Sequence, residues 1–135
     1  MIASIIPEII RGVQFDFFAG RSITQTQFMM LLAVRSYGGC TMGEIAKRMK
    51  VAMPTATGVV SRLVRLGYVE RVPKPDDRRQ VMVQVTPQGE SFIREFQEVV
   101  ADRWAVVLGV LTDKERGVFH GMLSKIQGHL RGEPR

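Results

Sequence analysis

Apolar residues recur at steps of three and four through most of the chain and alternate over one short stretch. Ile2, Ile5, Ile6, Ile9, Ile10, Val13 and Phe17 form the stripe of an amphipathic helix over residues 2–18, which Gly20 ends. In "SITQTQFMMLLAVRSYGG", Thr24 followed by Gln27 three residues later is a capping-box pattern, so a second helix is expected to run to Tyr37 and stop at Gly38 and Gly39. Thr41 and Glu44 repeat that pattern for a short helix with Ile45, Ala46 and Met49 on its inner face. After the break at "KVAM", Pro54 sits where a first-turn proline is tolerated, and the next helix reaches Gly67. Residues 68–73 and 81–86 read as strands, with Val81, Val83 and Val85 alternating against Met82 and Gln84. From Pro87 a long helix carries Phe92, Ile93, Phe96, Val99, Val100, Trp104 and Leu108 inward. A last helix begins at Thr112 in "TDKE" and presents Val118, Phe119, Met122, Leu123, Ile126 and Leu130, ahead of a terminal "RGEPR" expected to fray. The fold class is mainly α with a small β-hairpin.

Two stretches carry candidate chemistry. At about 100° per residue, Ala56, Val59, Val60, Leu63 and Leu66 fall on one side of the helix over 55–66. Thr55, Thr57, Gly58, Ser61, Arg62 and Arg65 take the other side. Short hydrogen-bonding side chains, a glycine that permits close approach and two arginines, with no acid among them, suit a phosphate-lined groove. The second stretch is "KPDDRRQ", residues 74–80, which reads as a long hairpin tip. It lacks the Asn-Gly or Asp-Gly of a tight turn and concentrates charge instead.

The charge balance agrees with an anionic partner: 19 Lys and Arg against 13 Asp and Glu give a net charge of +6. No apolar run approaches the roughly 18 to 20 residues of a membrane span, which favours nucleic acid over lipid. The lone Cys40 has no internal disulfide partner and no secretory leader pattern opens the chain, so a cytoplasmic protein with an inert thiol is expected. His120 and His129 are nine residues apart with no thiolates beside them, so no metal site is expected. No phosphate-cradling glycine loop, nucleophile elbow or catalytic carboxylate pair is present, which points away from an enzyme, and no cofactor is implied.

Helix, short helix, turn, polar-faced helix and two-stranded hairpin, in that order, make a winged helix-turn-helix over residues 22–86. With the flanking helices over 1–19 and 87–131, it resembles the MarR family of bacterial transcription regulators along almost the whole chain. The most specific match is "DRRQVMVQVTPQG", Asp77 to Gly89, similar to the family's wing signature of Asp, any residue, Arg, five residues, Leu, Thr and a later Gly. Val85 stands at the Leu position and keeps it apolar.

The resemblance implies that helix 54–66 enters the major groove of double-stranded DNA and that the wing tip reaches a minor groove, where a narrow A·T-rich stretch attracts arginine. Thr55, Thr57, Ser61 and Arg62 become candidates for bases or nearby phosphates. Arg65, Lys74, Pro54 and Thr41 belong to the same interface, Thr41 through the free amides of its helix N-terminus. Lys47, Arg48 and Lys50 are phosphate candidates, though a solvated face explains them as well. One of Arg78 and Arg79 would reach DNA while Asp76 or Asp77 braces the other by a carboxylate–guanidinium pair.

Family members pair through their first and last helices, which implies a homodimer with Ile2, Ile5, Ile9, Val118, Phe119 and Met122 as interface candidates and a pseudo-palindromic operator. Many bind small aromatic or anionic effectors, for which Phe15, Phe18, Phe28 and Trp104 are candidate pocket residues. The expected function is a ligand-releasable repressor. The alternatives are a winged-helix module for protein–protein assembly and a sequence-neutral architectural DNA binder, separable by salt dependence and by competition with unrelated DNA.

Overall fold

The computed structural model describes residues 1–132, apart from the side chain of Ile2. Of the tail expected to fray, residues 133–135 lie outside that description. The elements are α1 (Ile2–Phe18), α2 (Gln25–Tyr37), β1 (Cys40–Thr41), α3 (Met42–Met49), α4 (Met53–Arg65), β2 (Val69–Lys74), β3 (Asp77–Val85), α5 (Pro87–Leu108) and α6 (Asp113–Leu130). They form two compact units, residues 1–99 and residues from Val100 onward. The fold is mainly helical with one small antiparallel sheet.

Local sequence accounts for most element ends. The Thr24–Gln27, Thr41–Glu44 and Thr112–Glu115 capping boxes all form, each threonine hydroxyl accepting the backbone N–H three residues on while that residue's side chain accepts the threonine N–H. Gly38, with φ of 67°, closes α2 in the left-handed conformation. At the same position after α3 stands Lys50, the one described non-glycine residue with positive φ.

The core of the first unit is built by one face from each element. Ile45 and Ala46 of α3, Ala56, Val60 and Leu63 of α4, Leu31 and Val34 of α2, and Val69 and Val83 of the sheet are all buried. An aromatic cluster closes it: Phe17, Phe28, Phe92 and Phe96 pack ring against ring, Phe28 and Phe96 at 4.6 Å, and Tyr68 stacks on Phe92 at 4.4 Å. Arg21 lies over Phe17 and bonds Glu95 at 3.0 Å, tying the α1–α2 connection to α5.

The sheet departs from expectation in two ways. Its strand order is β1-β3-β2, with Cys40 and Thr41 opposite Val83 and Met82, a two-residue strand that periodicity does not reveal. The hairpin tip is also shorter than the 74–80 loop expected: β3 starts at Asp77, leaving Pro75 and Asp76 as the turn. The irregularity moves into the strand instead. Lys74 pairs with Asp77 but Pro73 pairs with Val81, so Arg78, Arg79 and Gln80 bulge from β3 against a single step of β2.

In the second unit, Trp104 of α5 and Phe119 of α6 pack with ring centres 6.1 Å apart. No described residue of α6 is buried.

Candidate nucleic-acid interface

Burying Ala56, Val60 and Leu63 forces the opposite side of α4 outward. Pro54, Thr55, Thr57, Gly58 and Arg65 are exposed there, and Ser61 and Arg62 are half-buried on its flanks. The sequence from Met53 to Arg65 contains no acid, so nothing on this helix opposes a phosphate.

Two of the expected reading residues already have partners. The Ser61 hydroxyl accepts from Arg71 Nη2 at 2.9 Å, and Arg62 Nη2 donates to the Ser22 carbonyl at 3.4 Å. The Arg62 contact is long, and a guanidinium has five N–H donors, so most of its capacity remains. Arg71 is a residue that sequence reasoning missed. It stands on β2, ten residues beyond Ser61, and its bond ties the wing to α4. Its only sequence signal was an arginine in the first strand of the wing hairpin, outside the 74–80 tip.

Thr41 is engaged in capping α3: its hydroxyl accepts the Glu44 N–H at 3.3 Å, and its own N–H donates to the Glu44 carboxylate at 2.8 Å. That backbone bond, with smaller help from the charges of Lys74 and Arg48, holds the Glu44 carboxyl below its ordinary value. Lys74 is half-buried, while Lys47, Arg48 and Lys50 are exposed, with the Arg48 guanidinium 4.4 Å above the Tyr37 ring.

At the wing, Arg78, Arg79 and Gln80 are exposed. The expected brace between an aspartate and an arginine side chain does not form. Asp77 Oδ1 instead accepts the backbone N–H of Arg79 at 3.1 Å, an Asx-type contact that fixes the chain and leaves both guanidinium groups outward. Asp76, in the exposed turn, pairs with neither arginine among the described contacts.

The base of the wing is a dense joint. Thr86 Oγ1 donates to the Gly67 carbonyl at 2.5 Å and accepts from the Gly89 N–H at 3.0 Å, while the Thr86 N–H donates to the Tyr68 carbonyl at 3.0 Å. A Cβ on Gly89 would lie 2.1 Å from that same Tyr68 oxygen, so only glycine lets α5 start this close to β2. Nearby Cys40 is buried, and the loss of solvation pushes its thiol up to about 11, the protonated and unreactive form at neutral pH.

Comparison with known proteins places this geometry. The model of the MarR family matches residues 23–81, from the start of α2 into the wing. A Bacillus subtilis protein named as an uncharacterized HTH-type transcriptional regulator, YsmB, is 34% identical over 113 residues, covering 82% of this chain and 75% of its own length. The multiple antibiotic resistance protein MarR of Escherichia coli is 30% identical over 112 residues, covering 82% of this chain and 78% of its own. The chain belongs to the MarR family. It is thus a DNA-binding transcriptional regulator of winged-helix fold. A solved structure of an E. coli MarR mutant complexed with operator DNA superposes with a TM-score of 0.61 at 28% identity, covering 93% of this chain and 89% of that one.

Against the MarR pattern, the remaining candidate residues divide. Phe28 is buried in the aromatic cluster, and Phe18 is half-buried and packs on it at 5.5 Å. Phe15 is 76% exposed, and Trp104 is half-buried against Phe119. Of the dimer candidates, Ile9 is buried within its own unit and Phe119 is half-buried, whereas Ile5, Val118 and Met122 are exposed. The side chain of Ile2 lies outside the described residues. No described helix is long and apolar enough to cross a membrane.

Proposed function

We propose that this regulator acts as a homodimeric, sequence-specific repressor. In that role α4 enters the major groove, the Arg78–Arg79 bulge reaches an adjacent minor groove, and occupancy of a pseudo-palindromic operator excludes polymerase. The observation that carries this reading is the exposed, acid-free face of α4, hydrogen-bonded through Ser61 and Arg71 to a wing whose two arginines project freely. A helix of that composition reads base edges, and a guanidinium suits the negative potential of a narrow minor groove.

The dimer is supported by α6, which exposes Val118, Met122, Leu123, Ile126 and Leu130, more apolar surface than one helix leaves in water without a partner. A small aromatic or anionic effector would release the dimer only by favouring one separation of the two recognition helices over the other, since equal affinity for both shifts nothing.

Fluorescence anisotropy on the intergenic DNA beside the protein's own gene, competed with unrelated duplex, tests the proposal. Binding roughly a thousandfold tighter to the local DNA, weakened in Arg78→Ala or Arg79→Ala, is the expected result. Equal, weak binding to both duplexes, unaffected by either substitution, would overturn it. Sedimentation tests the dimer: Met122→Glu should give monomers, and a wild-type monomer at micromolar concentration would refute it.

A further inference from the structure

We propose that Gly58 is where α4 comes closest to a DNA base edge, and that its missing side chain is a specificity determinant of this regulator. The inference rests on the function proposed above and adds one residue to it. At about 100° per residue, Gly58 points roughly 190° away from the mean direction of the buried Ala56, Val60 and Leu63. It therefore occupies the middle of the outward face. Thr55 and Arg62 flank it on one side, Thr57 and Ser61 on the other.

A glycine inside a helix disfavours that helix, because it frees the backbone in the unfolded chain. At several other positions the fold itself accounts for glycine. Gly89 has the Tyr68 carbonyl 2.1 Å from where its Cβ would be, and Gly38, Gly39 and Gly67 have positive φ. Neither reason applies to Gly58, which is helical and whose added Cβ would meet nothing within 4 Å. Gly117 and Gly121 of α6 are open in the same way, but they lie among exposed apolar residues rather than at the centre of a polar, acid-free face. What a side chain at Gly58 would obstruct is a body outside the protein. With no Cβ there, the backbone of α4 can lie against the floor of the groove while the flanking hydroxyls and Arg62 straddle the contact.

Gly58→Ala and Gly58→Leu test this, because both introduce strong helix formers of increasing size. The Ala variant should melt about 2–6 °C higher than the wild type. Its operator affinity, measured by anisotropy at fixed salt, should nevertheless fall roughly tenfold or more, and the Leu variant should lose more. Binding to unrelated duplex, carried by phosphate contacts, should change far less. Higher melting with weaker binding excludes misfolding as the cause. An Ala variant that binds operator as tightly as wild type would overturn the inference. So would one that melts lower, since the glycine would then serve the fold. If the wild type itself fails to discriminate operator from unrelated DNA, the proposed function falls; if it discriminates and Gly58→Ala does so equally, only this inference falls.

Discussion

Gly89→Ala should have the opposite sign from Gly58→Ala, and the size of its effect can be worked from the joint at the base of the wing. The new Cβ would stand 2.1 Å from the Tyr68 oxygen, 3.0 Å from its carbonyl carbon and 2.8 Å from Val85 Cγ1. Real Cβ contacts stop near 3.0 Å, so the first turn of α5 and the start of β2 must separate by about 0.9 Å. Val85 can rotate, but the backbone cannot easily follow. Three hydrogen bonds of 2.5–3.0 Å hold Thr86 to Gly67, Tyr68 and Gly89 across that gap. Overpacking costs about 1–3 kcal/mol, and loosening one or two of those bonds adds about 0.5–1.5 kcal/mol each. The gain in helix propensity returns about 1 kcal/mol. The net is a destabilisation of about 0.5–5 kcal/mol, centred near 2.5 kcal/mol, or roughly 10 °C in melting temperature for a chain of this size. Urea unfolding followed by circular dichroism measures it as a lowered midpoint with unchanged slope. A variant within about 0.5 kcal/mol of wild type would show that the joint yields freely and that the steric account is wrong.

Asp77→Asn, which keeps the oxygen that accepts the Arg79 N–H, should bind operator within about twofold of wild type, whereas Asp77→Ala should bind several-fold weaker; equal losses in both would favour a carboxylate–guanidinium brace instead. Glu44 and Glu115 have carboxyls held below the ordinary 4.5, chiefly by the backbone N–H groups of Thr41 and Thr112. Their contribution to stability is therefore complete above that value and lost as pH falls through the lower folded values, so Glu44→Gln with Glu115→Gln should flatten the fall in melting temperature below pH 4.5. Cys40 should react with a thiol reagent at pH 8 at least roughly a hundredfold more slowly in the folded protein than in urea. Because its thiol is raised from 9.0 to about 11, the unfolded chain ionises first, and stability should decline as pH climbs through that interval, less so in Cys40→Ala. Comparable folded and unfolded labelling rates would contradict the burial.

Much of this fold is legible in the sequence because it is encoded over three or four residues. Thr24, Thr41 and Thr112 announce their helices through partners three positions on, and the outward face of α4 follows from its own apolar stripe. What was not legible depends on residues distant in the chain. β1 is two residues long and exists only because Val83 and Met82 lie beside it. The charge of residues 74–80 and the lack of a tight-turn pair suggested a long loop, yet β2 is an edge strand, where Pro73 is tolerated, and it continues to Lys74. The Arg71–Ser61 bond joins two elements whose separation no local pattern reports. Phe28 shows the limit of periodicity: an inward aromatic at helical spacing looks the same whether it fills a core or lines a cavity, and here it fills the core.

The wing signature from Asp77 to Gly89 can now be divided by physical task. Asp77 shapes the chain at Arg79, Val85 pairs with Val69, and Thr86 and Gly89 lock the start of α5 against Gly67 and Tyr68. None of these four needs DNA to explain it. Of the signature positions only Arg79 faces solvent, joined there by Arg78 between them. A pattern dominated by the joint identifies proteins that carry a wing at a particular angle to α4, and says little about which operator they read. In the proposed complex, sequence choice then falls to the outward residues of α4 that the signature does not include, with Thr55, Thr57 and Arg62 around the open position at Gly58. Two regulators could share every signature residue and still read different DNA, whereas a change at Gly89 would disturb the wing of either in the same way.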